Sequence, residues 1–209
     1  YSQLHEWVPT TPTEDPAQKK EEAEALFRRI GTTFAVYGEG GDTERLIRVS
    51  ETRGGREARL PGTIMNGCYE AWADQAQTIE SIGAFSDTTM TLTGAGDAAR
   101  IPVARVTPSM LELLRVRPLR GRVFEAGEGR QNQARVALLS TGLWEQRFGA
   151  RDDIAGQTIV LDGQPHTIAG VLPRDFRFPT SETRAWIAWE VPPVDAPNGV
   201  KVGTINRAI

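Results

Sequence analysis

The sequence predicts a mixed fold of short strands and short helices, and three observations carry that reading. Thr158-Ile159-Val160-Leu161, Asp162-Gly163 and His166 to Val171 form two apolar-rich runs around a dipeptide that tolerates positive φ, the signature of a β-hairpin. Ser140 precedes a segment with Leu143, Trp144 and Phe148 on one face, and Gly149 ends it, which marks a capped helix. Apolar residues make up 39% and charged residues 24% of 209, an ordinary globular balance that argues against wholesale disorder.

The elements follow in order. Residues Tyr1 to Pro16 carry Pro9, Pro12 and Pro16 among Thr, Glu and Asp and read as an irregular lead-in. Asp15-Pro16 opens a helix to about Ile30, with its acids ahead of Arg28 and Arg29 as the helix dipole favours. Gly38 to Gly41 is a flexible break, so residues 1–43 are a lead-in with a short helix and residues 44–209 the compact domain. Arg45 to Ser50 reads as a strand, and Gly67 to Gln77 as a short helix with Tyr69 and Trp72 on one side. Ile82 to Thr93 alternates as a strand or hairpin, and Ile101 to Val106 is a further strand. Thr107 stands as an N-cap before Pro108 at the first position of a helix through Leu114. Arg135 to Leu139 is a strand of buried type, and Trp186 to Trp189 is the last strand before a Pro- and Gly-rich tail.

The formal net charge of −3 supplies no global attraction to nucleic acid or anionic lipid. The single cysteine, Cys68, excludes an intramolecular disulfide and a Cys-based zinc site. No run approaches the roughly 18–20 apolar residues that span a bilayer. The chain opens on Tyr1 without a signal-peptide pattern and reads as a piece of something longer.

The residues with chemical potential all have simpler uses. Gly94-Ala95-Gly96-Asp97-Ala98-Ala99 fits G-x-G-x-x-A, but Pro102 disfavours the helix that a dinucleotide site needs, so a turn between strands is expected. No P-loop motif occurs, which excludes P-loop ATP hydrolysis by this chain. His5 lies in the lead-in and His166 in the hairpin, neither with clustered ligands beside it, so no metal site is expected. Ser140 with His166 and Asp162 would make a nucleophilic triad, yet Leu139-Ser140-Thr141-Gly142 is no nucleophile elbow and Ser140 serves as a helix cap. Asp152-Asp153 and Glu125/Glu128 are acid pairs in loops, where the solvated reading is the commoner one. Trp144 and Phe148, at i and i+4, are core residues before they are a ligand platform. No catalytic, cofactor-binding or metal-ligating residue is therefore assigned, and no cofactor.

Four blocks, spaced along Glu44 to Pro179, carry a family likeness. They are Glu44-Arg45-Leu46-Ile47-Arg48-Val49; Tyr69-Glu70-Ala71-Trp72 with Ile82-Gly83-Ala84-Phe85; Arg117-Pro118-Leu119-Arg120-Gly121-Arg122-Val123-Phe124; and Val136 to Phe178-Pro179, through Leu143-Trp144-Glu145-Gln146-Arg147-Phe148-Gly149. Their joint order resembles the periplasmic core domain of MacB-type ABC-transporter permeases. In departure from that pattern, Arg115 stands where a turn glycine is usual and Cys68 where a small residue or proline is commoner. Residues Tyr1 to Gly41 do not resemble the first membrane helix, and the chain stops near Ala208-Ile209, where such sequences continue.

The resemblance implies an α+β fold: a porter-like subdomain with a smaller inserted αβ subdomain, the C-terminal side looking unfinished. It implies a non-catalytic extracytoplasmic module on the bacterial inner membrane, between the first and second membrane helices. The implied partners are a cytoplasmic ABC ATPase reached through the parent permease, a second permease copy, and a periplasmic adaptor or cargo, with no nucleic acid. The contrasting expectation is a stand-alone soluble ligand-binding or hydrolytic domain.

Overall fold

The computed structural model describes residues 79–192 continuously, together with residues 46–47, 52–53, 56–57, 63–66, 69, 73 and 201–208. The expected helix after Asp15, the Gly38–Gly41 break, His5 and Cys68 lie outside the described residues. Of the expected strand Arg45 to Ser50, Leu46–Ile47 is described as a strand; of the expected helix Gly67 to Gln77, Tyr69 and Ala73 are helical.

The fold is α+β. Its strands are β1 (Leu46–Ile47), β2 (Thr52–Arg53), β3 (Arg56–Glu57), β4 (Thr63–Met65), β5 (Ile79–Thr93) and β6 (Ala99–Val106). They continue with β7 (Arg120–Gly121), β8 (Val136–Ser140), β9 (Thr158–Leu161), β10 (Gln164–Leu172), β11 (Ala185–Ala188) and β12 (Lys201–Ala208). Helix α1 is Pro108–Leu113 and α2 is Thr141–Phe148, with a 3₁₀ turn at Asp152–Ile154. Among the described residues, ten strands share one sheet and β2 pairs with β3 alone. Ile82 to Thr93 proves to be part of one 15-residue strand, the first arm of a hairpin with β6. At about 3.3 Å per residue it is about 50 Å long.

The ladder closes on itself. β5 pairs with β6, β6 with β11, β11 with β8, β8 with β10, β10 with β9, and β9 returns to β5 at Leu161↔Leu92 and Val160↔Thr93. The closure is tightened by Asp162, whose Oδ1 accepts from the Thr91 N–H at 2.7 Å while its own N–H donates to the Thr91 carbonyl at 2.9 Å. The Asp162-Gly163 turn is as expected, with φ of 48° and 74° at its two residues, the primed geometry that suits strand twist.

Both faces of the central strands are buried. Val136 and Leu138 enter one core, Ala137 and Leu139 the other; Trp186 and Ile187 divide likewise. Successive strand residues point to opposite faces, so a sheet covered twice reads as an unbroken apolar run, as Val136-Ala137-Leu138-Leu139 does. One core gathers Met110, Leu111 and Leu113 of α1 with Phe85, Phe124, Phe176, Phe178 and Trp186. The other gathers Leu143 and Trp144 of α2 with Leu92, Ile154, Ile159, Leu161, Ile168 and Val171. Phe148, expected in that core, is only partly buried and packs against its margin, because the helix ends there.

The caps follow the sequence with one exception. Ser140 Oγ accepts from the Leu143 N–H at 3.2 Å, and Gly149 ends α2 at φ 61°. Helix α1 ends on Arg115 at φ 52°, with Val116 N–H donating to the Leu111 carbonyl and Arg115 N–H to the Glu112 carbonyl, a Schellman closure built without glycine. Thr107 does occupy the N-cap position of α1, but its side chain makes no cap bond and reaches β5 instead.

Candidate functional site

The turn Gly94 to Ala98 links two antiparallel strands, and no helix begins there. Gly94 and Gly96 adopt φ of 81° and 84°. Arg147 Nη1, from the last turn of α2, donates to the carbonyls of Ala95 at 3.2 Å and Asp97 at 3.0 Å. The G-x-G-x-x-A segment is thus a pinned hairpin turn, whose carbonyls are held by a cation and present no amide cradle for a phosphate.

Ser140, Asp162 and His166 are each committed elsewhere. Ser140 caps α2 and Asp162 holds Thr91. His166 is buried, and its Nδ1–H donates to the Gln164 carbonyl at 2.9 Å. Burial pushes this imidazole below its ordinary pKa, with the nearby Arg135 acting in the same direction against the Gln164 bond. A neutral imidazole with a fixed donor is a satisfied strand residue.

The loop acids are paired with arginines instead of with one another. Asp152 Oδ1 accepts from Arg120 Nη2 at 3.0 Å, and Asp153 takes both Arg151 donors. Glu128 accepts from Arg122 at 2.7 Å and 3.0 Å and from the Glu125 N–H at 2.8 Å. Burial would raise the Glu128 pKa, but these donors outweigh it and hold the carboxyl below its ordinary value. The Arg151 donors hold the Asp153 carboxyl low in the same way. Carboxylates held low by arginine are poor proton shuttles, since they stay ionised well below neutral pH.

A shallow open depression of about 360 Å³ lies beside β7, lined among others by Gly121, Arg122, Val136, Gly156, Ile168 and Ala169. Among the described residues, no group of three or more His, Cys, Asp or Glu is placed to hold a metal ion. Nor is any helix among them long and apolar enough to cross a membrane.

Sequence reasoning missed two structural devices. One is the hydroxyl network of Thr107 and Ser109 along β5, hidden because a Thr before Pro reads first as a cap. The other is the contact of Gly121 with Gly170. A Cβ at Gly121 would stand 2.1 Å from the Ala169 carbonyl oxygen, and one at Gly170 2.4 Å from that of Arg120. The lack of a Cβ at both glycines lets β7 lie so close, beside the point where the register of β10 against β8 shifts between Ile168 and Gly170.

Solved structures share the fold. The periplasmic region of MacB from Actinobacillus actinomycetemcomitans aligns with a TM-score of 0.52 at 13% identity, covering 69% of this chain and 63% of that one. The extracellular domain of the ABC-type transporter YknZ from Gram-positive bacteria aligns at 0.51 and 12%, covering 71% and 74%. A domain of a permease protein from Porphyromonas gingivalis aligns at 0.54 and 15%, covering 75% and 68%. The chain therefore spans under two thirds of the length of the first of these structures. No curated protein sequence matches it. The family model described as the MacB-like periplasmic core domain matches residues 23–200, which is most of the chain, and the chain belongs to that family.

Proposed function

We propose that this chain is the extracytoplasmic domain of an ABC-transporter permease of the bacterial inner membrane, acting as a non-catalytic binding and conformational-coupling module. The observation that carries the reading is the family match over residues 23–200. Its support from the molecule is the fate of the reactive side chains: Ser140, Asp162, His166, Asp152, Asp153 and Glu128 are all spent on caps, turns and ion pairs. In this reading the parent permease, in two copies, answers to a cytoplasmic ATPase, and this domain meets an adaptor or cargo outside the membrane.

The test is topological. In the full-length protein, Cys68 is replaced by serine and a single cysteine is placed at exposed Gln133. Labelling in intact cells by a membrane-impermeant maleimide that passes the outer membrane is expected. Labelling only after lysis would put the domain in the cytoplasm and end the reading.

A further inference from the structure

The longest strand changes partners partway along. On one edge β5 pairs with β12 from Ile79 to Phe85, and on the other with β6 from Phe85 to Leu92. Only Phe85 belongs to both ladders. The C-terminal half of β5 is therefore a stave of the closed circuit, while the N-terminal half belongs to an open unit with β12, β1 and β4. The strand forks between two bodies.

At the fork β6 ends and the chain turns into α1. The Thr107 N–H still donates to the Ala84 carbonyl at 3.0 Å, as a next ladder residue would. The Thr107 carbonyl is no longer free to complete the pair, because it accepts the Met110 N–H in the first turn of α1. Its hydroxyl takes that place: Thr107 Oγ1 accepts the Ala84 N–H at 3.0 Å. Ser109 Oγ then donates to the Ile82 carbonyl at 2.9 Å, and the two hydroxyl oxygens are 2.9 Å apart. The Tyr69 hydroxyl bonds to both. Helix α1 lies hard against the strand here, since a Cβ at Gly83 would stand 2.7 Å from Met110 Cα.

We propose that Thr107 and Ser109 form a releasable clasp on the outer edge of β5, which makes the open unit and the closed circuit move as one body when made and separately when broken. Over most of the described sheet the strands are held by backbone ladders between apolar cores, with a side chain completing the pairing at Asp162 and Thr91. At this joint one backbone bond remains and the rest of the edge is held by side-chain hydroxyls, each contributing little net stability yet leaving a buried N–H unpaired when lost. Such a joint opens locally at a cost well below global unfolding. The role of the clasp in coupling rests on the proposed function, but its existence does not.

Hydrogen exchange of the 209-residue chain, read by mass spectrometry, tests the clasp without reference to transport. In Thr107→Val, amides of residues 81–85 should exchange about tenfold faster, while those of 136–140 and 185–188 keep their wild-type rates. Thr107→Ser should restore the slow rate by returning the hydroxyl. Ser109→Ala, on the more exposed side of the network, should show the same local pattern at smaller amplitude. Unchanged exchange in 81–85, or acceleration spread evenly over all three segments in both Thr107→Val and Ser109→Ala, would overturn the proposal.

Discussion

Replacing Trp144 with alanine tests the packing of the circuit most directly. The indole is 6% exposed and sits in the core with Leu143 and Ile154. Its Nε1–H donates to the Arg151 carbonyl at 2.9 Å, which ties α2 to the 3₁₀ turn that follows. The Arg120 guanidinium lies 5.8 Å from the ring centroid and is held there by Asp152. Truncating a buried aromatic costs about 3–5 kcal/mol in transfer and cavity terms. Trp144→Phe keeps most of the volume and loses the hydrogen bond, so its cost should be about 1–2 kcal/mol. The cation contributes about 0.5–1 kcal/mol at a site this exposed on the arginine side, measurable as the coupling between Trp144→Leu and Arg120→Ala in a double-mutant cycle. Urea melts at fixed pH supply all of these values. A loss under about 1 kcal/mol for Trp144→Ala would mean that α2 does not seal this core, and the argument from the helix face would fall.

Three further outcomes are expected. Gly163→Val should cost about 1–3 kcal/mol from backbone conformation alone, since φ is 74° and an added Cβ meets nothing within 4 Å; an unchanged melting temperature would refute the turn. Ala150→Gly should raise stability by about 0.5–1 kcal/mol, the left-handed penalty at φ 55° relieved less the entropy gained by the unfolded chain, and a fall in melting temperature would count against it. His166 has a depressed folded pKa, so below about pH 6.5 the unfolded state binds a proton that the folded state refuses; stability should be level above that pH and fall as pH drops through the window, and His166→Gln should remove that slope in melts from about pH 7 to 5, an identical slope in the variant refuting it.

What was legible in the sequence was local. The Asp162-Gly163 turn, the Ser140 cap and the Gly149 stop are each decided by a few adjacent residues whose conformational preferences leave one option, and the structure has all three. Closure of the ladder was not legible, because Leu161 meets Leu92 across a separation no period in the chain encodes. Thr107 shows the limit most clearly: its place before Pro108 is right for a cap, and competition from the unpaired Ala84 N–H decides where the hydroxyl goes. The same holds for the candidate site. Ser140, Asp162 and His166 could be weighed as a triad only because sequence does not tell how near they are, and each partner in space turned out to be a backbone group.

The block Arg117 to Phe124 shows why the family likeness identifies a frame and not a cargo. Leu119 N–H donates to the Val171 carbonyl at 2.7 Å and begins the edge pairing. Arg120 reaches Trp144 and Asp152 on one side. Gly121 permits the backbone to touch Ala169-Gly170, where any Cβ would collide. Arg122 turns the other way and gathers Glu125 and Glu128, fixing the loop that follows, and Phe124 enters the core against which α1 packs. From Arg120 to Phe124 the run is thus tied into the fold by its side chains or by the want of one, apart from Val123, which only lines the core margin, whereas Leu119 is held through its backbone alone and its side chain is 45% exposed. A motif written by such contacts persists wherever the frame persists, whatever the domain binds. Where the frame leaves side chains exposed, as along the run Gln131 to Ala134, substitutions should leave the melting temperature in place, and a fall of several degrees for Gln133→Ala in a thermal melt would show that the frame extends into this loop.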